Sequence, residues 1–418
     1  MKITLIRKNI DSYIPILIYI IIAGFNYINV ISGSILLFIT ILYNLYFLKK
    51  FRNMQSLVVC LSFALTYWLY MVFYYFLDIS YCTYKQYQLL DYTNGTLRIV
   101  GIFFVLLFSK IKPIETKIEN YLPHRKNRFL LVICVSVMIG ILLYTASIGQ
   151  SFSYKAEGVN SSLYEYYLIF ALLAYCFTGN IFEKRCLLVL NFIYVFSLLR
   201  LGLRLVVLQI LLMLFIQYFD KKIRTSKLFI LIIIGFLFMS FWSMFRSGVS
   251  TDSFISIFGI KDGTLITNQG DVFYTSSAQY AQLAEGIWSI YFRIVSLVSF
   301  IANIFLPPAY QFADGKLNEV LAKQFSLVPG GGFGAMYVYV WLGWIGIYLF
   351  ADFIANRINS IKDGHGFFVV YGVFLIFTFF RWYAYNIAVI FKMGFWFLLI
   401  YLFSKAFDET IRIQGRMR

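Results

Sequence analysis

Long apolar runs separated by short polar connectors recur from one end of the chain to the other. They cover 13–29, 33–48, 55–76, 94–109, 129–146, 163–182, 186–199, 205–219, 228–245, 287–306, 333–355, 366–382 and 387–404. Most approach the ~20 residues that an α-helix needs to cross a bilayer. The pattern predicts an all-α polytopic integral membrane protein, read as a single transmembrane domain over 1–418. The first run follows Lys2, Arg7 and Lys8 and ends without a small-residue cleavage site, so it reads as a first transmembrane helix that doubles as signal anchor.

The connectors set the orientation. Lysine and arginine collect at 49–52, 110–128, 183–185, 220–227, 357–362 and after 407. Cytoplasmic loops carry that bias, which places both termini inside. Parity then fails at one place, because 228–245 must exit and 333–355 must re-enter. The run 287–306 is therefore expected to be a re-entrant or surface-lying helix, leaving about twelve crossings. The stretch 246–332 becomes a large external loop region around it, which points to chemistry or binding on the outer side. Composition agrees: 61% of the 418 residues are hydrophobic and only 13% charged, against roughly 25% in soluble domains. The net charge of +17 follows from the inner connectors, so basicity is no sign of nucleic-acid binding. Of the five cysteines only Cys82 falls in an outer loop, and no disulfide framework is expected.

Six arginines lie on the unexpected side of this topology: Arg98, Arg200, Arg204, Arg246, Arg293 and Arg381. All sit at or within the outer ends of helices, and Arg200 and Arg204 flank one tight hairpin in SLLRLGLRLVV. An arginine at mid-membrane costs roughly 2.5–3.5 kcal/mol on insertion scales, less near the interface. Its planar fork binds phosphate oxygens in pairs and stays charged in apolar surroundings. The set points to a diphosphate held at the outer leaflet, and lipid-linked sugars carry that group at that depth. Snorkelling to the interface is the competing explanation for any single one.

Outer carboxylates are few. Glu285, Asp271 and Glu165 are the candidate bases, Glu165 because it begins a helix and Glu285 because it precedes the re-entrant one. Both histidines, His124 and His365, fall in cytoplasmic loops, and no DxD or HExxH pattern occurs. Arginine must then take the place of a metal as electrostatic stabiliser, with no cofactor. Tyrosines of the outer loops, Tyr280 and Tyr310 among them, are candidates for stacking on sugar rings.

The segment VPGGGFGAMYVYVWLGWIGIYLF resembles the carboxyl-terminal signature of the Wzy-type O-antigen and capsular repeat-unit polymerases. It reads as a Pro-Gly-rich external loop entering a helix, through Pro329, Gly330, Gly331, Gly332, Gly334, Tyr337, Gly343 and Gly346. The Arg200/Arg204 hairpin occupies the place of that family's arginine-bearing turn. The stretches FRSG (at Arg246) and FFRWYAYN (at Arg381) fit its arginines flanking external loops. The resemblance implies a GT-C-like membrane glycosyltransferase in a bacterial cytoplasmic (inner) membrane. Its partners would be undecaprenyl-diphosphate-linked oligosaccharides as donor and acceptor, and a chain-length regulator protein. The arginines would stabilise the departing diphosphate, and a carboxylate would take the acceptor's proton. The alternatives are a lipid-linked oligosaccharide flippase, which should show related halves, and an O-antigen ligase, for which an external histidine is expected. Neither feature is visible in the chain.

Overall fold

The computed structural model describes residues 2–80, 92–148, 161–220, 224, 226–235, 260–261, 264–265, 267–325 and 331–416. Its helices are α1 (Lys2–Tyr27), α2 (Gly33–Lys50), α3 (Gln55–Leu77), α4 (Thr93–Lys110), α5 (Arg128–Ser147), α6 (Ser161–Phe177), α7 (Ile181–Arg200), α8 (Arg204–Leu214) and α9 (Ser226–Gly235). They continue as α10 (Asn268–Ala284), α11 (Ile290–Phe305), α12 (Leu317–Phe325), α13 (Gly334–Asp363), α14 (Phe367–Phe377), α15 (Phe379–Trp382) and α16 (Gly394–Arg416). Departures from helix and loop among the described residues are a short antiparallel hairpin, Ile260–Lys261 with Thr264–Leu265, and a bridge residue at Ser80. Among the described residues the apolar runs of the sequence lie in helices, the run 228–245 being described as far as 235. Six segments are long and apolar enough to cross a membrane: Gly33–Lys50, Gln55–Leu77, Thr93–Lys110, Arg128–Ser147, Gly334–Asp363 and Val389–Glu409. The chain is thus a helical, membrane-embedded protein. The helix α7 is as long but carries Glu183, Lys184 and Arg185 in its first turns.

Side chains with one oxygen to spare start many of these helices. Ser32, Asn127, Asn180, Thr267 and Ser289 each accept a hydrogen bond from a backbone N–H in the first turn of the helix that follows, satisfying one of its orphan donors. Asn180 also explains a boundary. The apolar run 163–182 reads straight through to Phe182, but the cap at Asn180 ends α6 at Phe177 and gives Phe182 to α7. At the other pole of α4, Lys50 Nζ donates to the carbonyls of Phe108 (2.7 Å) and Ser109 (3.1 Å), the favourable place for a cation.

Two compact units can be separated. Unit 1 comprises 1–113, 252–359 and 381–392; unit 2 comprises 114–251, 360–380 and 393–418. In unit 1, α2, α3 and α4 pack on an aromatic core in which Phe104 meets Phe47, Trp68 and Phe108 at ring-centroid distances of 5.8, 5.8 and 4.9 Å. In unit 2, α5 and α6 pack side by side, and α7 turns back into α8 through Gly202 (φ 71°). Large apolar side chains such as Leu17, Phe38, Val132, Phe196, Ile345 and Phe403 point outward, as lipid-facing surfaces require.

The segment expected to be re-entrant or surface-lying is α11. Its 16 residues rise about 24 Å, short of the ~30 Å hydrocarbon core. One face (Ile290, Ile294, Val298, Ile301, Phe305) is exposed and the opposite face buries Ser296, Phe300 and Asn303.

In α13 the helix is interrupted at Gly343, whose φ of 60° and ψ of −146° are not helical. Backbone there is open to glycine and strained for any residue with a β-carbon. Gly343→Ala should lower stability by about 1–3 kcal/mol, read as a fall in melting temperature in detergent. Gly24→Ala, in a helical position with open space around it, should equal or exceed wild type. Equal melting temperatures for Gly343→Ala and wild type would show the interruption to be dispensable.

Candidate functional site

The candidate site is built on α10, a helix inside a stretch that its polarity marks as loop. Thr267 Oγ1 accepts from Gly270 N–H at 3.1 Å and opens the helix. Although its sequence, NQGDVFYTSSAQYAQLA, is largely polar, residues from Val272 to Gln279 are buried in unit 1. Each buried hydroxyl or amide needs a partner, and neighbouring elements supply them. Ser276 Oγ accepts from Phe333 N–H at 2.9 Å, Ser277 shares a 3.2 Å bond with Thr96, and Gln279 Nε2 donates to Asn318 Oδ1 at 3.3 Å. Gly95 of α4 leaves the space into which the Tyr280 ring fits.

The glycine-rich loop is wedged between α10 and the turn after Arg381. A β-carbon on Gly331 would lie 2.3 Å from Tyr385 Cα, and one on Gly334 2.3 Å from the Trp382 carbonyl oxygen. Gly334 N–H donates to the Tyr383 carbonyl at 2.9 Å. Phe333 anchors the loop among Phe273 (4.9 Å), Tyr67 (5.4 Å) and Tyr383 (5.6 Å). Just beyond, the Tyr337 hydroxyl is buried and hydrogen bonded to the Gly332 backbone and to the side chains of Asn318 and Gln279, within electrostatic reach of Arg381. Gly331, Gly332, Gly334, Tyr337 and Arg381 are therefore neighbours. Pro329, Gly330 and Arg246 lie outside the described residues.

A second cluster forms at the far end of α10. Arg98 donates to Asn26 Oδ1 (3.1 Å) and to the Tyr280 hydroxyl (3.4 Å), with the Tyr27 ring beneath its guanidinium. Arg293 of α11 donates from Nε to the Val340 carbonyl. In an unbroken helix that carbonyl would accept from Trp344 N–H; the interruption at Gly343 opens it to the arginine. The terminal nitrogens of Arg293 have no hydrogen-bond partner among the described residues. Tyr339 lies within electrostatic reach of Arg98, Arg293, Tyr280 and Tyr27 together. Glu285 completes the cluster: it accepts from the Tyr92 hydroxyl at 2.7 Å, and the Tyr92 ring is 6.3 Å from that of Tyr280. Glu285 ends α10 rather than starting the next helix.

Asp271 stands in the first turn of the same helix, about 20 Å of rise from Glu285. Burial pushes its carboxyl up from the usual range to about 6, and no hydrogen bond or ion pair reaches it among the described residues. The two carboxylates cannot serve one reacting hydroxyl.

The remaining site residues belong to unit 2. Arg200 ends α7, and its Nη2 donates to the carbonyls of Thr145 (3.3 Å), Ala146 (3.1 Å) and Ile148 (3.4 Å) at the end of α5. Arg204 begins α8 across the Gly202 turn, half-buried. Glu165 is buried on α6, next in the chain to Tyr164, whose carbonyl accepts from the Tyr194 hydroxyl at 3.3 Å.

Family profiles, curated proteins and solved structures were all compared with the chain, and none matches.

Neither α10 nor α12 is marked by an apolar run, and no motif singles out Asn26, Gln279, Asn318 or Tyr339. A signal for α10 existed in Thr267, a cap residue followed by Asp271 in the first turn and helix-forming alanine and glutamine. Its polar core face concealed it.

Two outcomes are expected. Because the folded state holds the proton of Asp271 more tightly than the unfolded state, stability falls as pH rises from about 4 through about 6 and stays lower above it. Asp271→Asn should flatten that profile and stabilise the protein at pH 7 by about 1–3 kcal/mol, measured by denaturation from pH 4 to 8. Arg200→Ala, which strips three carbonyls at the end of α5, should destabilise by about 1–2 kcal/mol in the same assay.

Proposed function

We propose that this chain polymerises lipid-linked oligosaccharide repeat units on the outer face of a bacterial cytoplasmic membrane, with both termini inside and about twelve crossings. The growing glycan passes from undecaprenyl diphosphate to a sugar hydroxyl of the next lipid-linked unit, without a metal ion. The observation that carries this reading is the meeting of Arg98, Arg293, Tyr280, Tyr339 and Glu285 at one end of α10. Cations, sugar-sized aromatic rings and a carboxylate there match what the transfer requires.

In the reaction, the acceptor oxygen bonds to the anomeric carbon of the donor as the bond from that carbon to the diphosphate oxygen breaks. Glu285 takes the hydroxyl proton, held in position by Tyr92. The negative charge developing on the leaving diphosphate falls to Arg293, whose terminal nitrogens are uncommitted, with Arg98 behind it fixing Tyr280. Donors fixed before the reaction are effective because nothing must reorganise as charge appears. Arg381 contributes through Tyr337 and the glycine-rich loop. Asp271, at the other end of α10, is the second candidate base, since a carboxyl near 6 is well tuned for accepting a proton near neutrality. Arg200 supports the hairpin, and a chain-length regulator is the expected protein partner.

Glycan ladders from a strain lacking the gene test the reading. Complementation with wild type should restore long chains. Glu285→Gln should reduce polymer by about 10²-fold or more and Arg293→Ala by about 10²–10³-fold, leaving single-repeat glycans at the surface with membrane insertion unchanged. Loss of surface glycan with lipid-linked repeats accumulating inside would identify a flippase instead. Full activity of Glu285→Gln beside an inactive Asp271→Asn would move the base to Asp271.

A further inference from the structure

Unit 2 contains polar groups that the polymerase reading does not use. The helices α6, α7 and α8 pack against one another, and their mutual seam is not purely apolar. At one end the Tyr194 hydroxyl donates to the carbonyl of Tyr164, the residue before Glu165, at 3.3 Å, and Tyr167 stacks on Tyr194 at 3.7 Å. One turn along the buried stripe of α7 is Asn191, and on α8 is the fully buried Gln209. At the other end Tyr175 donates to Glu119 Oε1 and to the Gln217 carbonyl (2.9 Å), while Lys184 Nζ reaches Glu119 at 3.1 Å.

Several of these groups lack partners. The hydroxyls of Tyr164 and Tyr167, Asn191 Oδ1, both polar atoms of Gln209 and Gln217 Nε2 are buried with no hydrogen bond among the described residues. A buried polar group left unpaired costs about 1–3 kcal/mol, and one in hydrocarbon several. Apolar side chains at the same places would avoid that penalty. Water removes it, because each ordered molecule satisfies two to four groups at once. The polar groups are also spread along the helices rather than gathered at one level. From Glu165 to Tyr175 the rise is about 15 Å, with Tyr167 between them on the same helix and Asn191 and Gln209 on the two helices packed against it.

We propose that this seam is a hydrated lane that conducts protons through unit 2 between Glu165 and the Glu119–Lys184–Tyr175 cluster. A proton binds the Glu165 carboxylate and leaves it for the first water. Each oxygen in the file then gains one proton and passes another on, and Glu119 releases the last to the side of the basic connectors. The neutral amides of Asn191 and Gln209 orient the waters and take no charge themselves. Intramembrane carboxylates commonly mark such relays. The inference is independent of the polymerase reading, which concerns residues of unit 1.

The test uses the full-length protein in liposomes with a trapped pH-sensitive dye and a potassium diffusion potential. Wild type should acidify the lumen faster than protein-free vesicles, and Glu165→Gln and Gln209→Leu should fall to the protein-free rate. Gln209→Leu replaces an unpartnered amide with an apolar group of similar shape, so its melting temperature should hold or rise. Wild-type flux no greater than that of empty vesicles overturns the proposal. So does undiminished flux through Gln209→Leu, or a lowered melting temperature, which would mean that the amide is paired in the folded protein.

Discussion

Backbone meets backbone where Gly331 and Gly334 lie against the turn 382–385, with a separation that admits hydrogen and nothing larger at either α-carbon. That approach lets Gly334 N–H reach the Tyr383 carbonyl and Phe333 enter its aromatic surround. Tyr337 follows three residues later and falls among Asn318, Gln279 and Arg381. The burial of α10 depends on it too, since Phe333 N–H supplies the partner of Ser276. A polar helix tolerates burial only when its hydroxyls and amides are satisfied, and the loop is part of what satisfies them.

The interruption of α13 has an equally local cause and a wider effect. Gly343 takes a conformation that frees the Val340 carbonyl, and Arg293 of α11 occupies it. A broken helix in a membrane must find substitute partners for its backbone; here the substitute is a cation whose remaining nitrogens have no hydrogen-bond partner among the described residues. The same arginine therefore repairs the backbone and presents charge.

Much of the architecture was legible in the apolar runs, because lipid-facing helices must be apolar over their whole length and basic connectors interrupt them. Arg98, Arg293 and Arg381 stood out by side, and the structure draws Arg98 and Arg293 around Tyr339. Arg200 stood out equally, yet its Nη2 serves the carbonyl end of α5, a contact between distant helices that spacing along the chain does not reveal. Glu285 was visible as a carboxylate but not as the end of a helix. The largest omission, α10, arose because its core is held by hydrogen bonds rather than by apolar side chains. Hydropathy registers only the second.

Unit 1 is assembled from three separate stretches, 1–113, 252–359 and 381–392. During synthesis, α4 therefore enters the bilayer long before α10 exists to cover Thr96 and Arg98. At ribosomal speeds of about 5–20 residues per second the wait is on the order of ten seconds or more. Until then Arg98 has Asn26 and the Tyr27 ring, both made earlier, and Thr96 has the Tyr92 carbonyl of its own helix, but neither has its partner from α10. The order of translation thus sets the order in which the polar face of α4 acquires its partners, first from α1 and last from α10.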